Sequence, residues 1–397
     1  MGAQAETQHY DGVFEGGGVR GIGLAGALSV FEAAGYQPVG VAGTSAGAIV
    51  ATLLAAGYTA AEIKQIILNL DFAKFEDPPL IGHIPLLGSL IDLTFRYGLY
   101  KGDYFQNLMR ELLAAKGVRT FRDLIRPEAA QDPRYRYKAR VVTSDISHGR
   151  MVVLPTDATA YGLDPDELDV SLAVRMSMGI PFFFFPLRLK KSYMVDGGLL
   201  SNFPLELFDT GSLPPWPTLG FRFYQPGTPV NDLYPPNKIT GPYSALKAML
   251  YTASDARDIW YMDQDKLART IPIDTLGVAV TDFQITRAQC EALFASGVAA
   301  AKKFLAGKGQ GGLAGTQENS PPPVAARPAS ASPVGARPMA AAARGRTLKP
   351  GALPSMAADP PGNSLVWNTF AIAVVSLAII AVLGLLIAVT IGAVHLG

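Results

Sequence analysis

Three short segments of the chain hold residue types that could move an acyl group. Gly43-Thr44-Ser45-Ala46-Gly47 sets a hydroxyl between glycines, a spacing that lets a strand turn sharply into a helix and present the serine at a sheet edge. An apolar strand segment precedes it and an apolar helix segment follows, so a helix N-terminus would also favour a developing alkoxide. A plain strand-to-helix turn fits the same letters. Gly16-Gly17-Gly18-Val19-Arg20-Gly21 puts consecutive amides without side chains after Tyr10 to Phe14, where they can point at an anionic oxygen. A dinucleotide site would want an acidic residue about 20 positions further on, and Tyr36 to Ala42 holds none. A Walker loop would continue as Gly-Lys-Ser/Thr, which Arg20-Gly21-Ile22 does not supply. An oxyanion hole needs only amides beside the serine, and adjacent parallel strands would bring Gly17 and Gly18 there. Asp196-Gly197-Gly198 ends an apolar segment with a carboxylate that could serve as base for Ser45, although an isolated Asp-Gly-Gly more often marks a hairpin turn.

The four histidines, His9, His83, His148 and His395, sit in no motif and are expected to be structural. A histidine-based triad of the α/β-hydrolase kind also fails on position, because that fold places several strands before its serine and here one precedes it. A Ser-Asp dyad is the simpler constellation.

These residues need a scaffold. Tyr10 to Phe14 reads as a strand, the residues up to Ala34 as a helix, Pro38 to Ala42 as a strand, and Ser45 opens a second helix. Two successive strand-helix units imply a parallel sheet covered on its faces. Tyr137 to Ser144 and Met151 to Leu154 read as a hairpin around Ser147-His148-Gly149, Leu187 to Val195 and Thr218 to Tyr224 as further strands, and Thr59-Ala-Ala-Glu62 and Thr286-Arg-Ala-Gln289 as capping boxes. The expected fold class is α/β, three layers, with a mostly parallel central sheet in a head spanning residues 8–306.

The whole chain has 397 residues, 34 Lys+Arg against 33 Asp+Glu, and one cysteine, Cys290. A disulfide framework is therefore impossible, and a net charge of +1 argues against a general nucleic-acid binder. Residues 307–364 are rich in Gly, Ala, Pro and Ser and read as a disordered tether reaching on the order of 40 Å. Phe370 to Val394 holds no Asp, Glu, Lys or Arg, and a helix of that length would span roughly 37 Å, enough to cross a bilayer. Residues 365–395 are thus expected to form a C-terminal transmembrane tail anchor, with Trp367 at the interface. The N-terminus lacks the apolar stretch of a signal peptide, and Glu6 stands where myristoylation needs Ser or Thr. Arg327, Arg337, Arg344, Arg346 and Lys349 precede the span and only His395 follows it, which keeps the head cytoplasmic by the positive-inside rule. Gly384, Ala388 and Gly392 form a small-residue row that would permit a homodimer through the membrane.

Taken together and in this order, Gly16 to Gly21, Gly43 to Gly47 and Asp196 to Gly198 resemble the patatin-like phospholipase family. Arg175-Met-Ser177, Ile180-Pro181 and Asn202-Phe-Pro204 extend the likeness over about residues 10–225. The resemblance implies a patatin fold and lipid acyl hydrolysis without metal or cofactor. It gives Ser45 as nucleophile, Asp196 as base, Gly17 and Gly18 as oxyanion hole and Arg20 as support for the glycine loop, with Gly16, Gly21, Gly43, Gly47, Gly197 and Gly198 completing the motifs. The substrate it implies is membrane phospholipid or another acyl lipid, as for a phospholipase A or lysophospholipase. A catalytically silent lipid-binding scaffold of the same family is the alternative. Two apolar stretches bear on the substrate: Asp71 to Tyr100, expected as a cap near the site, and Phe182 to Phe185, expected as buried core on a strand.

Overall fold

The computed structural model describes residues 7–75, 96–127, 135–209, 216–225, 264–280 and 282–309, with Asp77, Ala248, Thr252 and Asp258 besides. The chain divides into two compact units, 1–313 and 314–397. The second unit lies outside the described residues, and with it the expected membrane helix, its small-residue row and nearly all of the expected tether. Most of the expected cap, His83 and His395 lie outside them too. Among the described residues no helix is long and apolar enough to cross a membrane.

The first unit is built on one sheet. Strand β1 (Gln8–Phe14) buries five consecutive residues, the mark of a central strand covered on both faces. Helix α1 (Ile22–Ala33) follows, then β2 (Tyr36–Thr44) and α2 (Ala46–Ala55). Helix α3 (Ala60–Leu68) starts on the expected capping box, in which the Thr59 side chain accepts from the Glu62 amide and the Glu62 carboxylate accepts from the Thr59 amide. After α4 (Asp103–Ala115) come β3 (Ala139–Asp145), β4 (Arg150–Leu154) and α5 (Val170–Ser177). Strands β5 (Leu187–Leu189), β6 (Ser192–Asp196), β7 (Thr218–Tyr224) and β8 (Thr270–Asp274) complete the sheet, and α6 (Arg287–Gly309) closes the unit. The strand order is β5-β6-β3-β2-β1-β7-β8, with β4 also paired to β3. Strands β3, β2, β1, β7 and β8 run parallel to one another, whereas β4 and β6 each pair antiparallel with β3, and β5 pairs antiparallel with β6. The rings of Phe14 and Phe31 both meet Phe221, at 4.9 and 5.3 Å between centroids, fastening α1 onto β1 and β7.

Three expectations need correction. The single strand expected over Leu187 to Val195 is two, because Lys190 adopts φ 56 and folds the chain back on itself. His9 lies within β1 rather than before it, edge-on to Trp216. Phe182 to Phe185 is a turn and not a strand. The amides of Phe183 and Phe184 both bond the Ile180 carbonyl, Phe182 sits at φ 66, and of the four rings only Phe184 is fully buried. Four aromatic residues in a row satisfy a strand pattern, but Pro181 and Pro186 on either side favour a turn.

Candidate active site

Strand β3 explains how segments 150 positions apart meet. Its residue Val142 pairs with Thr44, the last residue of β2, and the next residue, Thr143, pairs with Asp196, the last residue of β6. One strand arrives parallel and the other antiparallel, so both chain ends leave the sheet at the same level. The Thr44 hydroxyl donates to the Ser201 carbonyl at 3.0 Å, and a Cβ on Gly197 would stand 2.3 Å from the Val142 carbonyl oxygen and 3.0 Å from the Thr44 methyl.

Ser45 is the residue between β2 and α2, with φ 53 and ψ −122. A non-glycine residue there is strained, at a cost on the order of 1–3 kcal/mol that the surroundings must offset. Two features hold it. The Ser45 amide donates to the Ser177 hydroxyl at 2.9 Å, and that hydroxyl donates to the Val142 carbonyl at 2.5 Å. The first turn of α2 also presses onto the end of β1, since a Cβ on Gly47 would lie 2.1 Å from the Phe14 carbonyl oxygen and one on Gly43 would lie 2.3 Å from Gly47. The two flanking glycines are therefore required by close approach.

Asp196 is 7 % exposed. Burial pushes its carboxyl up to about 6, against the lowering effect of hydrogen bonds from the Gly198 amide, at 2.7 Å, and from the Ser45 hydroxyl. The Ser45 hydroxyl also lies 3.8 Å from Met178 Sδ. The site thus brings together a strained serine and a buried carboxylate.

The glycine loop lies alongside, as the β1–β2 pairing of Phe14 with Gly43 requires. Among the described residues the amides of Gly17 and Gly18 have no acceptor, while the neighbouring amides do: Gly16 donates to the Asn202 carbonyl at 3.0 Å and Val19 to the Val280 carbonyl at 3.2 Å. Asn202 returns a bond from its side-chain amide to the Gly16 carbonyl at 3.0 Å. Gly18 takes φ 54, and a Cβ there would meet the Val280 carbonyl oxygen at 2.0 Å. Arg20 donates from Nε and from its backbone amide to the Gly17 carbonyl, at 3.2 and 3.1 Å, and its guanidinium lies 5.0 Å from the centre of the Phe223 ring. The Gly17 carbonyl is thereby turned back into the loop. Gly21 closes the loop against Ala46.

Sequence reasoning gave no role to the residues that brace these parts. Ser177 and Asn202 entered only as letters of the resemblance. Asp258 carries no local signal at all, yet its buried carboxylate accepts from the Ser201 hydroxyl and the Asn202 and Phe203 amides at 2.8, 2.8 and 2.7 Å. Burial raises its pKa and those three donors lower it. Glu15, directly before the glycine loop, is pushed up to about 7 by burial, opposed by Arg222 at 3.6 Å and by the Phe223 amide. Arg175 is 1 % exposed and donates to the carbonyls of Lys101 and Phe185. It ties α5, which carries Ser177, to the segment around residue 100.

A serine, a histidine and an aspartate also gather at the β3–β4 turn, where His148 Nδ1 lies 2.7 Å from Asp145 Oδ2 and 3.1 Å from Ser192 Oγ. Both contacts use the same ring nitrogen, whereas a catalytic relay needs the two nitrogens on opposite partners. This cluster fastens the turn.

Residues 12–209 match the model of the patatin-like phospholipases. The uncharacterized protein YqhO of Bacillus subtilis is 38 % identical over 302 residues, 75 % of this chain and 98 % of its own length. The probable lipid hydrolase 463L of Invertebrate iridescent virus 6 is 24 % identical over 199 residues, covering 49 % of this chain and 61 % of the viral one. Among solved structures, that of VipD from Legionella pneumophila is similar at 18 % identity and a TM-score of 0.46, over 76 % of this chain and 67 % of VipD. The chain belongs to the patatin-like phospholipase family, and its head has that family's α/β fold around a mostly parallel sheet.

Proposed function

We propose that the protein is a membrane-tethered lipid acyl hydrolase that cleaves carboxylic ester bonds of phospholipids or lysophospholipids through Ser45 and Asp196. The observation that carries this is the pairing of a serine held at φ 53 with a carboxylate whose pKa burial lifts to about 6. Asp196 accepts the Ser45 proton as Ser45 Oγ attacks the ester carbonyl. The Gly17 and Gly18 amides hold the tetrahedral oxyanion, the alcohol leaves with a proton returned by Asp196, and water attacks the acyl-serine to release the fatty acid. An ordinary aspartate is a weak base for a serine hydroxyl, and raising it toward the working pH improves the match. The chemistry calls for no metal or cofactor. Phe370 to Val394 would anchor the chain, and the preceding Pro/Ala/Gly-rich residues would let the head reach the membrane that holds it.

A fluorophosphonate probe should label wild-type protein at Ser45 and leave Ser45→Ala unlabelled. Release of fatty acid from phospholipid vesicles should disappear in Ser45→Ala and Asp196→Asn, each still folded. Wild-type turnover in either variant removes the dyad.

A further inference from the structure

Exposed large apolar side chains are few among the described residues, and three of the five gather in one place: Tyr97, Ile146 and Phe182, at 52, 49 and 44 % exposure. Tyr97 and Phe182 sit at positive φ, in turns that push their rings outward. Tyr193 links the group. Its ring meets Tyr97 edge-on at 5.8 Å, its carbonyl accepts from the Ile146 amide at 3.0 Å, and the Arg188 guanidinium lies 5.1 Å from its ring centre. Phe182 joins through its neighbour, because the Phe183 carbonyl accepts from the Leu99 and Tyr100 amides at 3.0 and 2.9 Å.

Register fixes which end of the sheet this is. Strand β2 stops level with Val142, but β3 continues to Asp145, opposite Met194, and the β5–β6 turn lies further out still. The β3–β4 turn with Ile146 and the β5–β6 turn with Lys190 and Lys191 therefore project beyond Ser45 on the side where Ser45 opens. Met178, whose sulfur is 3.8 Å from Ser45 Oγ, stands four residues before Phe182 on the same continuous segment. Arg188, Lys190 and Lys191 are exposed, and Asp145, the acidic side chain at this turn among the described residues, is fully buried and engaged by His148 and Tyr161. Among the described residues the rim thus combines apolar and aromatic tips with exposed positive charge.

We propose that this rim is a docking surface for an anionic phospholipid bilayer, with Tyr97, Ile146 and Phe182 entering the headgroup region and Arg188, Lys190 and Lys191 meeting the lipid phosphates. Charge complementarity selects the occupant, since an aromatic tip among cations suits the interface of a negatively charged membrane. It deepens the proposed function by naming anionic lipid surfaces as the substrate form, and its binding arm does not depend on turnover.

The test uses the full chain throughout, so any contribution of the C-terminal segment is common to all samples. In Ser45→Ala protein, the additional change Phe182→Trp should yield a tryptophan quenched by brominated phosphatidylglycerol in mixed vesicles and far less by vesicles of brominated phosphatidylcholine alone. No additional quenching relative to the Ser45→Ala parent overturns the docking surface. With Ser45 intact, Arg188→Gln, Lys190→Gln and Lys191→Gln together should lower hydrolysis of anionic vesicles roughly 100-fold, the loss expected for three interfacial cations, while turnover of a dissolved short-chain ester stays unchanged. Equal losses on both substrates, or none on vesicles, also overturn it. If the same three changes, made in the Ser45→Ala, Phe182→Trp protein, leave vesicle quenching intact but abolish binding to poly-glutamate, the cations serve an acidic protein and the bilayer proposal falls. If the wild-type protein hydrolyses no ester, the enzymatic reading fails and the quenching arm still decides the docking surface.

Discussion

Replacing Asp196 by Asn should stabilise the folded head at neutral pH while abolishing turnover, and the size of the gain follows from the site. The carboxyl is 7 % exposed, and burial lifts it from the ordinary 3.8 to about 6. A folded-state pKa above the unfolded value means that the native protein binds the proton more tightly than the unfolded chain does. Ionised Asp196 therefore destabilises the fold fully above about pH 6 and not at all below 3.8. At 1.36 kcal/mol per pH unit the full effect is about 3 kcal/mol, an order-of-magnitude figure. Asparagine keeps an oxygen for the Gly198 amide and carries no charge. Thermal unfolding of the full chain should place Asp196→Asn higher by roughly 6 °C at pH 7.5, given about 2 °C per kcal/mol for a head of this size, and the gap should close as the pH falls from 6 toward 4. The same titration should make wild-type hydrolysis fall as the pH drops through about 6, because the protonated acid cannot accept the Ser45 proton. A variant less stable than wild type at pH 7.5, or a gap that does not narrow on acidification, would refute the claim that the site holds a desolvated charge.

Two further substitutions probe the bracing. Ser177→Ala removes the acceptor of the Ser45 amide, leaving a buried donor unpaired at a cost of about 1–3 kcal/mol. Chemical denaturation should show that loss and kcat should fall with KM little changed, while Ser177→Thr, which keeps a hydroxyl, should restore both. Asp258→Asn turns one acceptor oxygen of a three-donor cluster into a donor. The glycine loop clasped by Asn202 should then shift, lowering kcat about 10- to 100-fold, with fluorophosphonate labelling slowed in proportion and dissolved-ester KM unchanged.

The legible part of this fold was whatever local chemistry dictates. Gly43 and Gly47 are glycines because backbone crowds them, so the elbow is written in five consecutive letters. The Thr286 box is also local, with its hydroxyl and amide bonded to the Gln289 side chain and the Gln289 amide returning a bond. Residues whose purpose is a partner far along the chain were not legible. Ser177 acts on a residue 132 positions away, and Asp258 acts on three positions about 56 away. Phe182 to Phe185 misled for a related reason. Hydropathy reports that a segment is apolar, but it cannot separate one buried ring in a turn from four rings on a strand unless the flanking prolines are weighed.

The same distinction bears on how the scaffold would position the proposed dyad. A base on a flexible loop would have to be fixed by partners of its own, as His148 is by Asp145. Asp196 is instead the last paired residue of a strand, and the residue before Ser45 is the last paired residue of another, with adjacent positions of β3 as their common template. Hydrogen bonds of the sheet therefore set the separation of the Ser45 and Asp196 side chains. The loop bonds of Thr44 to Ser201 and of Gly16 to Asn202 then tie the third part, the bare amides, to the same frame. Shifting β6 by one residue along β3 would turn every β6 side chain to the opposite face, carrying the carboxylate away from the serine. Strand β3, the common template, is buried along all seven residues. The proposed catalytic geometry is thus held by a core strand that contributes no reacting atom.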